Sequence, residues 1–206
     1  MRRSKAPTRR LSLVAVAVLV SGITAGCAST ATPSADHRPA LIFDQSVGSD
    51  LQALALQTWD RFLVVFQART DCFGDVHVRA AYQLGSRGEY DPDTATVTVQ
   101  VPGTPAKLQS ALIHEWAHHV EFQCSEHQGL RPAFLAAQGL PADTPWRPAE
   151  TPMNLPAGEW AEIPSEQYAE ATIELVLGER PIPTTARVTA NAVRVIAAWA
   201  RGDKQP

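Results

Sequence analysis

The chain lacks a long apolar run. Its longest, Leu11 to Val20, is too short for a comfortable membrane span. Acidic residues are missing from positions 1 to 26, which carry five basic ones: Arg2, Arg3, Lys5, Arg9 and Arg10. Setting those aside leaves 18 − 5 = 13 basic groups against 21 acidic, a balance of −8. A balance so acidic gives no reason to bind nucleic acid through phosphates, so no nucleic acid partner is expected. There is no internal repeat, and cysteine is scarce, with only Cys27, Cys72 and Cys124. What remains is ordinary globular material: 206 residues, 45% hydrophobic and 19% charged, enough for one domain with accessories.

A basic start, a short apolar run and the small residues of "SGITAGC" describe a secretory signal. "TAGC", Thr24 to Cys27, resembles the lipobox of bacterial lipoproteins, with threonine where leucine is commonest. The resemblance implies cleavage before Cys27 and lipidation of its thiol. "TRRLSL" faintly resembles a twin-arginine export signal. The expected division is a signal peptide over 1–26, a lipidated cysteine and flexible tether over 27–40, and a folded domain over 41–206. The protein is then held by lipid at the outer face of the bacterial cytoplasmic membrane, or secreted if not lipidated. With Cys27 lipidated, Cys72 and Cys124 form an even pair in a compartment where disulfides persist. They are either bridged or two buried thiols.

Along the domain, apolar spacing predicts a helix over 49–67 capped by Ser49 or Asp50, and a β-compatible stretch at Val76 to Ala81. A turn at Asp91-Pro92-Asp93 leads into "TATVTVQV", where Val97, Val99 and Val101 share one face. A helix from about Pro105 to Cys124 follows, with proline in the tolerated first turn. Residues 129–164 are rich in proline and glycine, with a brief helix over Pro132 to Gly139. Such long connections are often functional. Two more helices are expected, Ser165 to Leu177 with Ser165 as cap and Gly178 as stop, and Thr185 to Arg201.

The chemistry concentrates in "HEWAH", His114 to His118. Residues four apart share a helix face, so both histidines can bind one zinc ion. Glu115 sits about 100° further round, at the edge of that face. There it can take a proton from water made acidic by the metal and pass it on. This is the zincin motif. His119, in a place zincin helices usually give to an apolar residue, has no expected role at the metal.

A catalytic zinc keeps three protein ligands. His127 lies nine residues past His118, and no glycine intervenes. The zincin class with a third histidine wants glycine and histidine three and six residues on, where Glu121 and Cys124 stand, so His127 is excluded. "PSEQYAEATIEL", Pro164 to Leu175, offers Glu166 and Glu170 on one helical face. This region resembles the glutamate helix of glutamate-zincins. It is closest in motif to the zinc-binding domain of the anthrax lethal factor family and more distantly similar to thermolysin. The tyrosine that some members carry upstream is missing, and Glu159 and Trp160 occupy that neighbourhood. The resemblance implies an α+β zincin-like fold, Glu166 as third ligand and Glu170 orienting His114 or His118. Glu162 is a fallback ligand, placed outside the helix by Pro164.

The expectation is a zinc-dependent endopeptidase acting on peptide or protein substrates. The rivals are a non-catalytic envelope lipoprotein that uses the scaffold for binding, and a hydrolase of cell-wall peptides. Tyr168, Tyr90, His127 and Arg131 are candidate oxyanion donors. In zincins an edge strand before the active helix holds the substrate, and "TATVTVQV" stands in the right place. His37 and His77 read as surface or structural residues. Oligomeric state is left open.

Overall fold

The computed structural model describes residues 38–148 and 156–203. The signal segment, Cys27, His37 and most of the expected tether lie outside these. The last three tether residues belong to the fold. Pro39 is buried and its carbonyl accepts from Trp59 Nε1 at 3.0 Å, while Arg38 pairs with Asp60.

The architecture is mixed α and β. Four strands, β1 (Leu41–Phe43), β2 (Val76–Ala81), β3 (Gly88–Asp91) and β4 (Thr96–Gln100), make one sheet in the order β1-β2-β4-β3. β1, β2 and β4 run parallel, and β3 is antiparallel to β4. Val76, Val78, Val97 and Val99 turn one face into the core, as period-2 alternation requires. The turn from β3 to β4 is built on Asp91. Its carboxylate accepts from Asp93 N–H at 3.0 Å and from the Thr94 hydroxyl at 2.6 Å.

This topology corrects one expectation. "TATVTVQV" is an inner strand, paired on both sides by β2 and β3, so it has no free edge for a substrate. The edge strands are β1 and β3, and β3 is the one beside the helix Pro105–Gln123.

Six α-helices are described: α1 (Ser49–Val65), α2 (Pro105–Gln123), α3 (His127–Gln138), α4 (Ala157–Ala161), α5 (Pro164–Leu177) and α6 (Ala190–Ala200). A 3-10 helix, Gln67–Cys72, follows α1. The cap of α1 is Gly48, with no side-chain bond, rather than Ser49 or Asp50. α3 begins earlier than Pro132, so Gly129 is helical, and the helix stops at Gly139 in the left-handed region (φ 73). α5 starts at Pro164, which takes the first helical position and moves the cap back to Ile163. Ser165 is therefore inside the helix. The last helix is shorter than expected, because the Thr189 hydroxyl caps it by accepting from Ala192 N–H at 3.1 Å.

α2 is the centre of the molecule, packing against α1, α3, α5, β3 and β4. The Thr104 hydroxyl caps it, and Ser110 to Glu121 are buried without a break. Its apolar side, led by Trp116, meets Trp59 (ring centroids 4.8 Å) and Phe62 (5.7 Å) from α1. Its histidine side is covered by α5. Cys124, the residue after its last turn, is disulfide-bonded to Cys72 with Cα atoms 4.8 Å apart. Among the described residues no helix is long and apolar enough to cross a membrane.

Candidate metal centre

One helical turn separates His114 from His118, so both imidazoles leave α2 on the side facing α5. Glu166 and Glu170 leave α5 towards them, also one turn apart. Three atoms converge. His114 Nε2 and His118 Nε2 are 3.2 Å apart, and Glu166 Oε2 lies 3.0 Å from the first and 3.3 Å from the second. All three side chains are buried.

The far nitrogen of each ring is backed by its own carboxylate. His114 Nδ1 meets Glu170 Oε1 at 3.0 Å, and His118 Nδ1 meets Glu121 Oε2 at 3.0 Å. Both carboxylates are acceptors, so each Nδ1 carries the proton. That leaves both Nε2 lone pairs pointing into the triangle, beside a third acceptor. Three acceptors this close repel unless protons or a metal ion lie among them. Zinc bonds of about 2.0–2.1 Å set tetrahedral ligand atoms roughly 3.3 Å apart, which the observed triangle fits. The residues present therefore suit a divalent ion.

The surrounding charge makes the same demand. Burial works to lower the His118 pKa, but Glu166 and Glu121 outweigh it and push it up to about 10. His114 is raised likewise by Glu166 and Glu170 against its burial. Burial favours a neutral Glu166, yet the two histidines hold its pKa far below the ordinary carboxylate range. A metal satisfies the acceptors while both imidazoles stay neutral, so binding must release protons.

The supporting carboxylates are themselves held. Glu170 accepts from His114, from Arg87 Nη2 at 2.9 Å and from Arg180. Glu121 accepts from His118, from Trp146 Nε1 at 2.9 Å and from Arg147 Nη2 at 3.1 Å. Although burial opposes ionisation, His118 and Arg147 keep Glu121 down at about 2, and His114, Arg180 and Arg87 do the same for Glu170. The Trp160 indole covers His114, rings 5.8 Å apart and 23° from parallel.

Glu115 is buried but stands outside the triangle, on the wall of a cavity of about 550 Å³ that also admits His114, His118 and Glu166. Burial pushes its pKa up, with the two histidines opposing. Its side chain is pressed against Gly88 of β3. A Cβ there would sit 2.7 Å from Glu115 Oε1 and 2.9 Å from its Cγ, so only glycine leaves room for the acid. β3 thus forms one wall of the cavity. Arg87 O is turned to β4, accepting from Gln100 N–H at 3.0 Å. Strand alternation then leaves the main-chain groups of Gly88 and Tyr90 on the open side.

Sequence reasoning brought His114, Glu115, His118, Glu166 and Glu170 to one place, and the structure assigns Glu170 to His114 rather than His118. Glu162 is exposed at the end of α4 and apart from the cluster. His119 takes no part at the triangle. Its Nδ1 accepts from the Tyr90 hydroxyl at 3.0 Å, and its Nε2 faces Gly74 O at 3.2 Å. His77 is exposed on β2. Tyr168 and His127 are wholly buried among aromatic rings, and Arg131 lies over Trp146. None of the three lines the cavity, so none can reach a substrate there. Glu121 was missed, although its i, i+3 spacing from His118 was a usable signal. Arg147, Gly88 and Trp160 had no local signal. Comparison of the chain with protein-family models, curated proteins and solved structures finds no match.

Proposed function

We propose that the chain is a zinc-dependent metallopeptidase on a zincin-like scaffold, hydrolysing peptide bonds in the cavity beside α2. The observation that carries this is the convergence of His114 Nε2, His118 Nε2 and Glu166 Oε2, with a buried, unligated Glu115 on the wall of the same cavity. Bound among these atoms, zinc supplies a Lewis acid that polarises the scissile carbonyl and makes water a ready proton donor. Glu115 takes a proton from the attacking water as the new C–O bond forms. It then delivers that proton to the amide nitrogen as the C–N bond breaks. No acyl-enzyme is formed. Its raised pKa suits the second step, in which the acid must give a proton up.

The open edge of β3 supports an extended peptide as substrate, because the main-chain N–H groups of Gly88 and Tyr90 and the Tyr90 carbonyl face the open side for strand addition, while Gly88 O accepts from the Ser86 hydroxyl. A purely structural metal would have no use for an acid held at Glu115, which disfavours a non-catalytic binding module. Cys27, once lipidated, would tether this activity outside the bacterial cytoplasmic membrane.

The test is metal analysis with peptide cleavage. The mature domain should carry about one zinc per chain, filling one such site. Glu115→Gln should keep it and lose cleavage, whereas His118→Ala and Glu166→Ala should lose both. Cleavage retained by Glu115→Gln would sink the mechanism, and unchanged zinc in Glu166→Ala would move the third ligand elsewhere.

A further inference from the structure

Hydrolysis through a tetrahedral intermediate needs a hydrogen-bond donor where negative charge develops on the carbonyl oxygen. The four residues that the sequence offers for this are all spent. Tyr168, His127 and Arg131 lie away from the cavity, and the Tyr90 hydroxyl donates to His119 while accepting from Gln123 Nε2 at 3.1 Å. The Ser86 hydroxyl, also on the cavity, donates to Gly88 O at 2.6 Å.

Arg147 is different. It lies between α3 and α4, lines the cavity and keeps about a third of its side chain exposed (34%). Nη1 contacts Glu166 Oε1 at 3.4 Å, the oxygen of that carboxylate turned away from the triangle. Nη2 donates to Glu121 Oε2 at 3.1 Å. Nη2 is also 3.2 Å from His118 Nδ1, whose own proton is directed to Glu121. The guanidinium carbon stands 5.2 Å from the Phe122 ring centroid. The cation is therefore fixed within one hydrogen bond of a proposed metal ligand. Each Nη carries two hydrogens, and the carboxylates take one from each. Arg87, the other arginine on the cavity, reaches only Glu170, one residue further from the triangle.

Resting on the metallopeptidase reading, we propose that Arg147 is a catalytic residue that donates to the carbonyl oxygen as it becomes an oxyanion. Its guanidinium presents several N–H donors in a rigid planar fork. Its bonds to Glu121 and Glu166 pre-set its direction, so little reorganisation accompanies charge development.

Two measurements on the zinc-loaded protein test this. The first titrates phenylphosphonate, a tetrahedral anion, against acetohydroxamate, which chelates metal without needing a cation beside it. Arg147→Ala should weaken phenylphosphonate about tenfold or more, as loss of a charge-assisted bond does, and leave acetohydroxamate binding unchanged. The second follows cleavage of a quenched fluorescent peptide library. kcat should fall by about 100-fold or more with KM little altered, Arg147→Lys should be intermediate, and Tyr90→Phe should keep the alkaline pH profile of the parent. Equal phenylphosphonate affinity in zinc-loaded Arg147→Ala would overturn the proposal. So would loss of zinc from both Arg147 variants, because the residue would then only hold Glu166. If the unaltered protein cuts no peptide, the metallopeptidase reading fails, while the phosphonate titration still decides whether Arg147 receives an oxyanion.

Discussion

At the residue scale, the candidate site turns on close fits rather than on many contacts. Gly88 and Glu115 touch with no space for one more carbon. Gly88→Ala should therefore displace the acid, cutting kcat by about 100-fold, the cost of a misplacement near 1 Å, with zinc content intact. Gly85→Ala, where an added Cβ meets nothing within 4 Å, is the matched control and should leave kcat unchanged. Zinc lost together with activity in Gly88→Ala would refute this positioning role. The residues that could be read from sequence are those whose partner lies at a fixed helical spacing. His114 and His118 are four apart, as are Glu166 and Glu170, and a helix alone puts each pair on one face. Gly88 and Arg147 could not be read that way. Their partners, Glu115 in one case and Glu121 with Glu166 in the other, are reached only after β3 and the α3–α4 segment have packed on α2.

At the element scale, α2 carries polar groups into a buried position, and its C-terminal end is tied covalently. Cys124 bridges to Cys72 across 52 residues. Closing such a loop contributes about 4 kcal/mol in the chain-entropy view. Cys72→Ser with Cys124→Ser should shift the urea midpoint down by an equivalent amount, and an unchanged midpoint would show that the bridge adds nothing. α3 begins at His127, whose two ring nitrogens find no hydrogen-bond partner among the described residues. Burial among Trp146, Tyr168 and Trp199 depresses its pKa to about 3. The unfolded state takes up a proton below about 6.5 that the folded state refuses. Stability should then fall as pH drops from there towards 3, by up to about 1.4 kcal/mol per pH unit for this group. His127→Phe should flatten that slope in denaturant titrations at a series of pH values, and an unaltered slope would contradict the assignment. Element boundaries follow local chemistry that can be misread. Pro164 belongs at the first helical position, which displaces Ser165 from the cap it resembles. Alternation in Thr96–Gln100 reveals the buried face but not the neighbours, so it could not distinguish an inner strand from an edge.

For the whole molecule, the proposed ion would join elements that meet only in the folded chain. His114 and His118 come from α2 and Glu166 from α5, and the unfolded chain has no such triangle. Binding free energy is then folding free energy. With zinc at about a thousand times its Kd, the gain is about 4 kcal/mol, or about 10 °C in Tm for a domain of this size. A chelator should lower Tm by that order and added zinc should restore it. A Tm indifferent to chelation would mean that the triangle holds no ion in solution. A mixed α and β architecture was readable from periodicity. The sheet order was not, because β1 is three residues long and β3 four, too short to show a period.

The disulfide and the triangle also act together on α2. One ties the end of the helix to a segment 52 residues back, and the other would tie its middle to a segment 48 residues ahead. α2 thus sits between two cross-links of similar span in sequence, one that a reductant opens and one that, with the proposed ion bound, a chelator would open.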